Sequence, residues 1–334
     1  MAADGYHAHV SSRDQVSEHH RTQQASAVVN RVPTPEVEVR PDFFIVGAFK
    51  SGTTALYEYL RAHPQIFMPF HKEPNFFGED LTRHYGRLSR AEYLALFRNA
   101  KPGQRVGEAS TWYLYSSTAA REIADFSPGA QIIVLLRNPV DVMYAQHSQL
   151  LFRADETLTD FEAALEAEDA RRRNAEPVLP PARPETLFYR HSVHFAEQIE
   201  RYIDCFGRSR VQVVLFEDLI TDTASTYRDV LSFLGVDATF QPELPPHNQN
   251  RRVRFGPIQR LIFRPPGPLL GAARRLRRYR LVHRLREGVL RLNSRAEKRP
   301  ALNPALRRKL LAEFAPEIER LSLIIGRDLS AWQA

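Results

Sequence analysis

The stretch Asp42–Pro64, DFFIVGAFKSGTTALYEYLRAHP, most constrains what this chain can fold into. An apolar run is followed by a turn with two glycines, Gly47 and Gly52, and then by apolar residues at helical spacing. This order predicts a buried strand, a tight turn and a helix. The glycines let backbone N–H groups curl toward an anion, and the start of the helix adds its positive end. We therefore predict a phosphate site.

The position of the lysine in this turn narrows the kind of phosphate site. Nucleotide triphosphatases carry G-x-x-x-x-G-K-[ST], with the lysine directly after the second glycine. Here Thr53 follows Gly52, and Lys50 lies between the two glycines. A magnesium-dependent triphosphatase or kinase is therefore disfavoured, and it is kept as one alternative. The groups expected to hold the anion belong to Lys50, Ser51, Gly52, Thr53 and Thr54.

Apolar runs alternate with helical patterns along the rest of the chain. Gln131–Leu136 is a continuous apolar run, typical of a strand buried on both faces, and Val211–Phe216 is predicted to be another buried strand. Such alternation predicts an α/β fold with a P-loop-like central parallel β-sheet flanked by α-helices. Shorter strands are expected at Ile66–Met68 and Arg105–Glu108, and helices at Ser192–Phe206, Thr223–Leu234 and Pro304–Ile325.

Charge is spread unevenly over the chain, whose net charge is +7. Residues 251–309 contain 19 Lys or Arg against two acids, so the remainder is acidic. Such a segment suits an anionic partner: a nucleotide, an acidic substrate, nucleic acid or a membrane surface. We predict that residues 250–300 form a helical, arginine-rich lid or insert within a single domain spanning 39–334.

Composition disfavours several other classes of protein. The single cysteine, Cys205, excludes an internal disulfide framework and fits a reducing cytoplasm, which is the location we expect. No apolar run is long enough to cross a membrane, and the first residues lack the apolar core of a signal peptide. The polar residues 1–38 are predicted to be a disordered arm.

Three separated motifs each follow a predicted strand: GAFKSGTT (47–54), KEPNFF (72–77) and LLRNPVDVMY (135–144). Together they resemble sulfotransferases that use 3'-phosphoadenosine 5'-phosphosulfate (PAPS). The likeness runs over roughly Asp42–Trp332 and includes the later stretches VVLFEDL, FLGV and GRDLSAW. The branch it resembles is the bacterial and heparan-sulfate-like one, in which a glutamate replaces a histidine base. The resemblance implies metal-independent sulfuryl transfer from PAPS to a hydroxyl or amine of a natural product, glycan or lipid.

The resemblance also implies roles for residues at three strand ends. Lys50 and the loop after it cradle the 5'-phosphosulfate, and Lys50 stabilises the leaving phosphate. Glu73 is the general base, and its aromatic neighbours are expected to raise its proton affinity. His71 is an alternative base, with His247 less favoured, and Arg137 holds the 3'-phosphate. The residues expected to flank the acceptor are His71, Lys72, Trp112 and Tyr113. The two aromatic residues suit a core position equally well.

Two positions depart from the family's pattern. The serine that normally follows Arg137 by eight residues is Ala145 here, and Ser148, nearly one helical turn on, could replace it in part. Ala109 stands where heparan-sulfate-type members often have a lysine, which makes glycosaminoglycan acceptors less expected. The remaining charge for the 3'-phosphate is expected from the basic segment, at Arg251, Arg252 and Arg254.

A second alternative is a non-catalytic protein that binds nucleic acid or an anionic membrane through the basic segment. It predicts a clean amphipathic helix or basic residues interleaved with exposed aromatics. Arg274–Arg286 instead has arginines on several faces and few aromatics. This alternative explains one segment and none of the three ordered motifs.

Overall fold

The computed structural model describes residues 38–82, 87–173, 183–242, 251–253, 255–256, 262–263, 288–290, 292–297 and 299–333. All but the last residue of the predicted arm at 1–38, and most of the predicted lid at 250–300, therefore lie outside the described residues, as do His247 and Arg254. Val39–Ala334 groups into one unit by its internal contacts.

The central sheet has five strands, and every neighbouring pair is parallel. In spatial order the strands are β2 (Ile66–Phe67), β3 (Arg105–Ala109), β1 (Phe43–Gly47), β4 (Gln131–Leu136) and β5 (Val211–Leu215). The predicted parallel sheet is confirmed. β5 ends one residue earlier than predicted because Phe216 begins a helix. A separate antiparallel pair consists of β6 (Arg251–Val253) and β7 (Ser294–Ala296).

Helices connect the strands, and their bounds follow from local caps. The helices that the structure describes are α1 (Thr53–Ala62), α2 (Arg90–Ala95), α3 (Ala119–Phe126), α4 (Pro139–Arg153), α5 (Phe161–Glu166), α6 (Glu168–Arg172), α7 (Phe195–Phe206), α8 (Phe216–Thr221), α9 (Thr223–Leu234) and α10 (Pro304–Ile325). α10 begins where the Asn303 side chain accepts from the amide of Ala305, and it ends at Gly326 with φ 67°. α9 and α10 have the predicted bounds, whereas α7 begins three residues later than predicted. None of the helices within the described residues is long and apolar enough to cross a bilayer.

The core lies on both faces of the sheet. Alternate residues of β1 point to opposite faces, so Phe44 and Val46 pack on one side while Phe43 and Ile45 pack on the other. Buried residues of α3, α4, α7 and α10 cover the first side, and those of α1 and α9 cover the second. Each such fully buried side chain contributes roughly 1.5–3 kcal/mol.

This topology brings the predicted motifs together. The strands are parallel, so the loops that follow β1, β2, β3 and β4 leave from one edge of the sheet. In open α/β sheets that edge is where ligands bind.

Candidate active site

The loop after β1 folds as the sequence predicts. Gly52 has φ 92°, a conformation that favours glycine, and it is the residue at which α1 starts. Gly47 is needed for a different reason, because a Cβ there would lie 2.6 Å from the Cβ of Leu114. Ser51 and Thr53 are buried in the loop.

The amides of Ala55 and Leu56 donate to the Gly52 carbonyl, at 2.9 and 3.2 Å. The amides of Thr53 and Thr54 come before them, where α1 offers no carbonyl one turn earlier, and such amides can donate to an anion.

Lys50 lies within this loop and points at α4. Its Nζ donates to Oε1 of Gln149 at 2.6 Å, and its backbone is left-handed, with φ 62°. Burial, followed by the guanidinium groups of Arg299 and Arg137, lowers the pKa of Lys50 to about 8. Each of these positive charges disfavours the charged form of the others, and an anion bound between them would favour the charged form of all three. The loop is therefore electrostatically prepared for an anionic ligand.

Arg137 lies at the carboxyl end of β4, as predicted. Its guanidinium packs 4.6 Å from the centroid of the Phe216 ring, and Nη2 is 3.9 Å from Oδ2 of Asp141. Asp141 also accepts from Arg307 at 2.8 Å. The next residue, Asn138, caps α4 and donates to the carbonyl of Trp332 at 2.7 Å. These contacts fix the strand end from which Arg137 projects.

Arg299, in the basic segment, lies close enough to Arg137 for the charge of Arg137 to act on its pKa. Its guanidinium lies 5.4 Å from the centroid of the Tyr144 ring. Burial, and then the charge of Arg137, lower the pKa of Arg299. Its Nε is buried and has no hydrogen-bond partner among the described residues. A buried N–H donor beside two other cations is suited to a phosphate oxygen.

The structure gives less support for the other residues predicted to bind the 3'-phosphate. For Arg251 and Arg252 the structure gives only the backbone of β6, paired with β7. Ser148 donates its hydroxyl proton to the carbonyl of Tyr144 in the same helix, at 3.0 Å. In that rotamer Ser148 offers no proton to a phosphate, so the structure does not support it as the replacement for the missing serine. Ala145 itself is buried.

Glu73 lies on the loop after β2 and keeps 40% of its side-chain surface exposed. Its Oε1 accepts from Lys72 Nζ at 2.9 Å and from the Thr111 hydroxyl at 3.2 Å. Burial raises the pKa of Glu73, but Lys72, Thr111 and Arg153 together lower it more, so the net direction is below the ordinary value. The expected increase in proton affinity is therefore wrong, because the charges and hydrogen bonds of Lys72, Thr111 and Arg153 together outweigh the effect of burial on the pKa of Glu73. Glu73 is ionised at neutral pH and can accept a proton.

The predicted acceptor-flanking residues divide into exposed and buried positions. His71 is exposed, and Lys72 is partly buried against Glu73. Trp112 is buried and stacks on Phe49 of the phosphate loop, with ring centroids 4.7 Å apart. Tyr113 is fully buried, so it cannot contact an acceptor from this position and is a core residue.

The structure thus brings Lys50, Glu73 and Arg137 to one edge of the sheet, where the charges of Glu73 and Arg137 both act on the pKa of Lys50. The sequence interpretation missed Gln149, Thr111 and Arg299. For Gln149 a signal existed: it follows Ala145 by four residues on α4 and so shares its face. The described residues contain no group of three or more His, Cys, Asp or Glu side chains arranged to hold a metal.

The chain is similar to known proteins in sequence and in fold. Residues 40–253 match the sulfotransferase domain. The chain is 31% identical over 209 residues to heparan sulfate glucosamine 3-O-sulfotransferase 6 of Mus musculus, covering 59% of this chain and 52% of that protein. It is 28% identical over 233 residues to the mouse bifunctional heparan sulfate N-deacetylase/N-sulfotransferase 4, covering 65% of this chain and 24% of that protein. The chain thus spans about half, or less, of the length of these curated relatives.

The similarity to solved structures extends over most of the chain. One of these is the crystal structure of a sulfotransferase from Alicyclobacillus acidocaldarius, with a TM-score of 0.67 and 30% sequence identity. The match covers 89% of this chain and all of that one.

Proposed function

Because this chain belongs to the sulfotransferase family, we propose that it transfers a sulfuryl group from PAPS to a hydroxyl or amine of a small or medium acceptor, such as a natural product, glycan or lipid. One observation carries the proposal. Lys50 lies inside a glycine turn at the start of a helix, close enough to Glu73 and to two arginines for all three to act on its pKa. In this arrangement Glu73 is the base, Lys50 is the cation for the leaving group, and the two arginines are the cations for a second phosphate.

The transfer would be an in-line displacement. The acceptor oxygen or nitrogen forms a bond to sulfur while the bond from sulfur to the 5'-phosphate oxygen breaks, and the electron pair stays on that phosphate. Glu73 takes the proton that the acceptor loses. Lys50 and the amides of Thr53 and Thr54 stabilise the charge that develops on the leaving phosphate. Since Glu73 is ionised at neutral pH, it needs no prior deprotonation.

Arg137 and Arg299 would hold the 3'-phosphate. Arg137 is positioned by the Phe216 ring, and Arg299 contributes a buried donor that has no partner within the described part of the chain. Arg299 would supply the contact that the family's serine makes, which Ala145 cannot. The charge of Arg137 lowers the pKa of Arg299. A phosphate bound between the two guanidinium groups would relieve this repulsion.

The two mouse relatives are named for heparan sulfate, so a glycan is one member of the proposed acceptor class. Ala109 is buried and supplies no cation at the end of β3. We therefore rank small uncharged hydroxylated acceptors above polyanionic glycans, and both belong in the test.

The test has two parts. The first is transfer of labelled sulfate from PAPS to a panel of phenols, alcohols, amines and glycans. The second is calorimetric binding of adenosine 3',5'-bisphosphate and of adenosine 5'-phosphate, which lacks the 3'-phosphate. We expect the bisphosphate to bind at least about tenfold more tightly, since each charge-assisted contact is worth roughly 1.5–3 kcal/mol. Equal binding of the two nucleotides would overturn the proposal.

A matched pair of variants tests the role of Arg299. Arg299→Met should remove most of the preference for the bisphosphate and leave binding of adenosine 5'-phosphate unchanged. Arg308→Met is the control for total charge, because it removes one exposed cation of the same basic segment, and Arg252→Met tests the alternative contact on β6. If Arg252→Met loses more of the preference for the bisphosphate than Arg299→Met does, the 3'-phosphate contact is on β6 instead.

A further inference from the structure

The loop that carries Glu73 is anchored to the end of β3. The Glu73 amide donates to the carbonyl of Ala109 at 2.9 Å, and the Thr111 hydroxyl donates to the Glu73 carboxylate. Glu73 and Asn75 have φ values of 61° and 49°, a region that residues other than glycine rarely adopt. A loop in this conformation depends on the hydrogen bonds that its amides make with their surroundings.

Two hydroxyl groups accept from the other amides of this loop. The amide of Asn75 donates to Oγ of Ser110 at 3.1 Å. The amides of Phe76 and Phe77 both donate to the Tyr113 hydroxyl, at 2.8 and 3.3 Å. Each hydroxyl has one proton and must turn it away from the loop to accept in this way.

The carboxylate of Glu108 accepts hydrogen bonds from both of these hydroxyls. Its Oε1 accepts from Ser110 at 2.6 Å, and its Oε2 accepts from Tyr113 at 3.0 Å. Tyr93, on α2, donates to Oε2 as well, at 2.9 Å. Glu108 is fully buried and reaches no solvent, so it touches neither nucleotide nor acceptor. The carboxylate fixes the direction of two hydroxyls, and those hydroxyls fix three amides of the Glu73 loop.

We propose that Glu108 is a positioning residue for the reaction: through Ser110 and Tyr113 it holds the loop on which Glu73 meets the acceptor. The inference rests on the proposed function for the role of Glu73, and on the hydrogen bonds alone for the anchoring. Chemistry that depends on a base is sensitive to displacements of about 1 Å. Loss of this anchor therefore lowers turnover without touching the nucleotide site.

Tyr113 and Tyr93 provide a matched pair of variants. Both hydroxyls donate to the same oxygen of Glu108, but the loop amides donate to Tyr113. Tyr113→Phe removes an acceptor of the loop, whereas Tyr93→Phe removes only a bond to Glu108 and keeps its ring stacked on Phe76, with centroids 4.1 Å apart. A purely structural role of the cluster predicts the same outcome for both variants.

Amide hydrogen exchange tests the anchor without any acceptor. In Tyr113→Phe, the amides of Phe76 and Phe77 should exchange about five- to tenfold faster than in the unaltered protein, because each loses its acceptor. Glu108→Gln should also accelerate them, because a glutamine has one oxygen and cannot accept from both hydroxyls as the carboxylate does. In Tyr93→Phe they should change by less than about twofold. Equal acceleration in Tyr93→Phe and Tyr113→Phe, or none in either, overturns the inference.

Kinetics then test the consequence, with PAPS and the acceptor of the panel that gives the highest turnover. Tyr113→Phe and Glu108→Gln should lower kcat at least about tenfold with KM for PAPS and binding of adenosine 3',5'-bisphosphate unchanged, and Tyr93→Phe should retain kcat. Unchanged kcat in Tyr113→Phe would refute the positioning role while leaving the proposed function intact. If the unaltered protein shows no preference for the bisphosphate, the proposed function fails instead, and the exchange data still decide the anchor.

Discussion

Two glutamates at neighbouring strand ends have opposite electrostatic environments. Glu73, after β2, is half exposed and accepts from an ammonium, which with its other contacts lowers its pKa. Glu108, at the end of β3, is fully buried among neutral hydroxyls, and burial raises its pKa to about 7. The Ser110, Tyr93 and Tyr113 hydrogen bonds oppose that increase without cancelling it. Both residues are glutamates, so the difference comes from their partners. The carboxylate beside an ammonium is suited to accepting a proton, and the one among neutral hydroxyls is suited to holding those hydroxyls in place.

The largest effect is expected when Glu73 is changed. Glu73→Gln keeps the size of the side chain but removes the proton acceptor, so kcat should fall by about 10²–10⁴-fold, the usual contribution of a general base. Binding of adenosine 3',5'-bisphosphate, measured by calorimetry, should be retained. The control is His71→Gln, two residues away. If His71→Gln loses more turnover than Glu73→Gln, the base is the histidine.

An intermediate effect is expected on stability when Glu108 is changed. An unfolded carboxyl titrates near 4.5 and the folded one near 7, so the folded state binds the extra proton between these values. Stability from this group is therefore complete below pH 4.5 and is lost as pH rises to 7, by on the order of 3 kcal/mol. Glu73 and the buried Tyr202 also face this carboxyl.

The measurement is the free energy of unfolding in denaturant from pH 4.5 to 7.5. The fall over this range should be smaller in Glu108→Gln than in the unaltered protein, since the other titrating groups are common to both. Parallel curves for the two proteins would show that Glu108 keeps an ordinary pKa.

The smallest effect is expected when the charge beside Glu73 is removed. Lys72→Met should raise the pKa of Glu73, because the ammonium lowers it now. The acidic limb of the profile of kcat/KM against pH should move to higher pH, with little change at the optimum. Lys101→Met, at the opposite edge of the sheet before β3, is the control. If the acidic limb of the profile stays at the same pH in Lys72→Met, the titration of Glu73 does not set that limb.

Much of the fold was predictable because its signals are local. β4 and the bounds of α9 and α10 follow from apolar runs, a capping asparagine and closing glycines that lie next to each other in the sequence. β5 was one residue too long in the prediction because Phe216 continues the apolar run while already starting α8. Apolar character alone does not distinguish a strand from the first turn of a helix.

The site was predictable only in part, since several of its contacts join distant parts of the chain. Arg299 and Arg137 interact electrostatically although more than 160 positions separate them in the chain, and no local pattern distinguishes Arg299 from the other arginines of the basic segment. Tyr113 is buried because α2, β3 and the Glu73 loop meet around its hydroxyl, although Trp112 and Tyr113 are alike in the sequence as neighbouring aromatics.

The sequence by itself determined that a lysine-bearing glycine turn joins a buried strand to a helix, and that a glutamate and an arginine follow other strands of one parallel sheet. These features depend on residue order and short-range periodicity. Only the tertiary structure decided that Lys72 lowers the pKa of Glu73, that Glu108 lies buried behind it, and that Arg299 reaches Arg137. The physical reason is that burial and electrostatic interaction depend on distances through space, which the chain sets only when it folds.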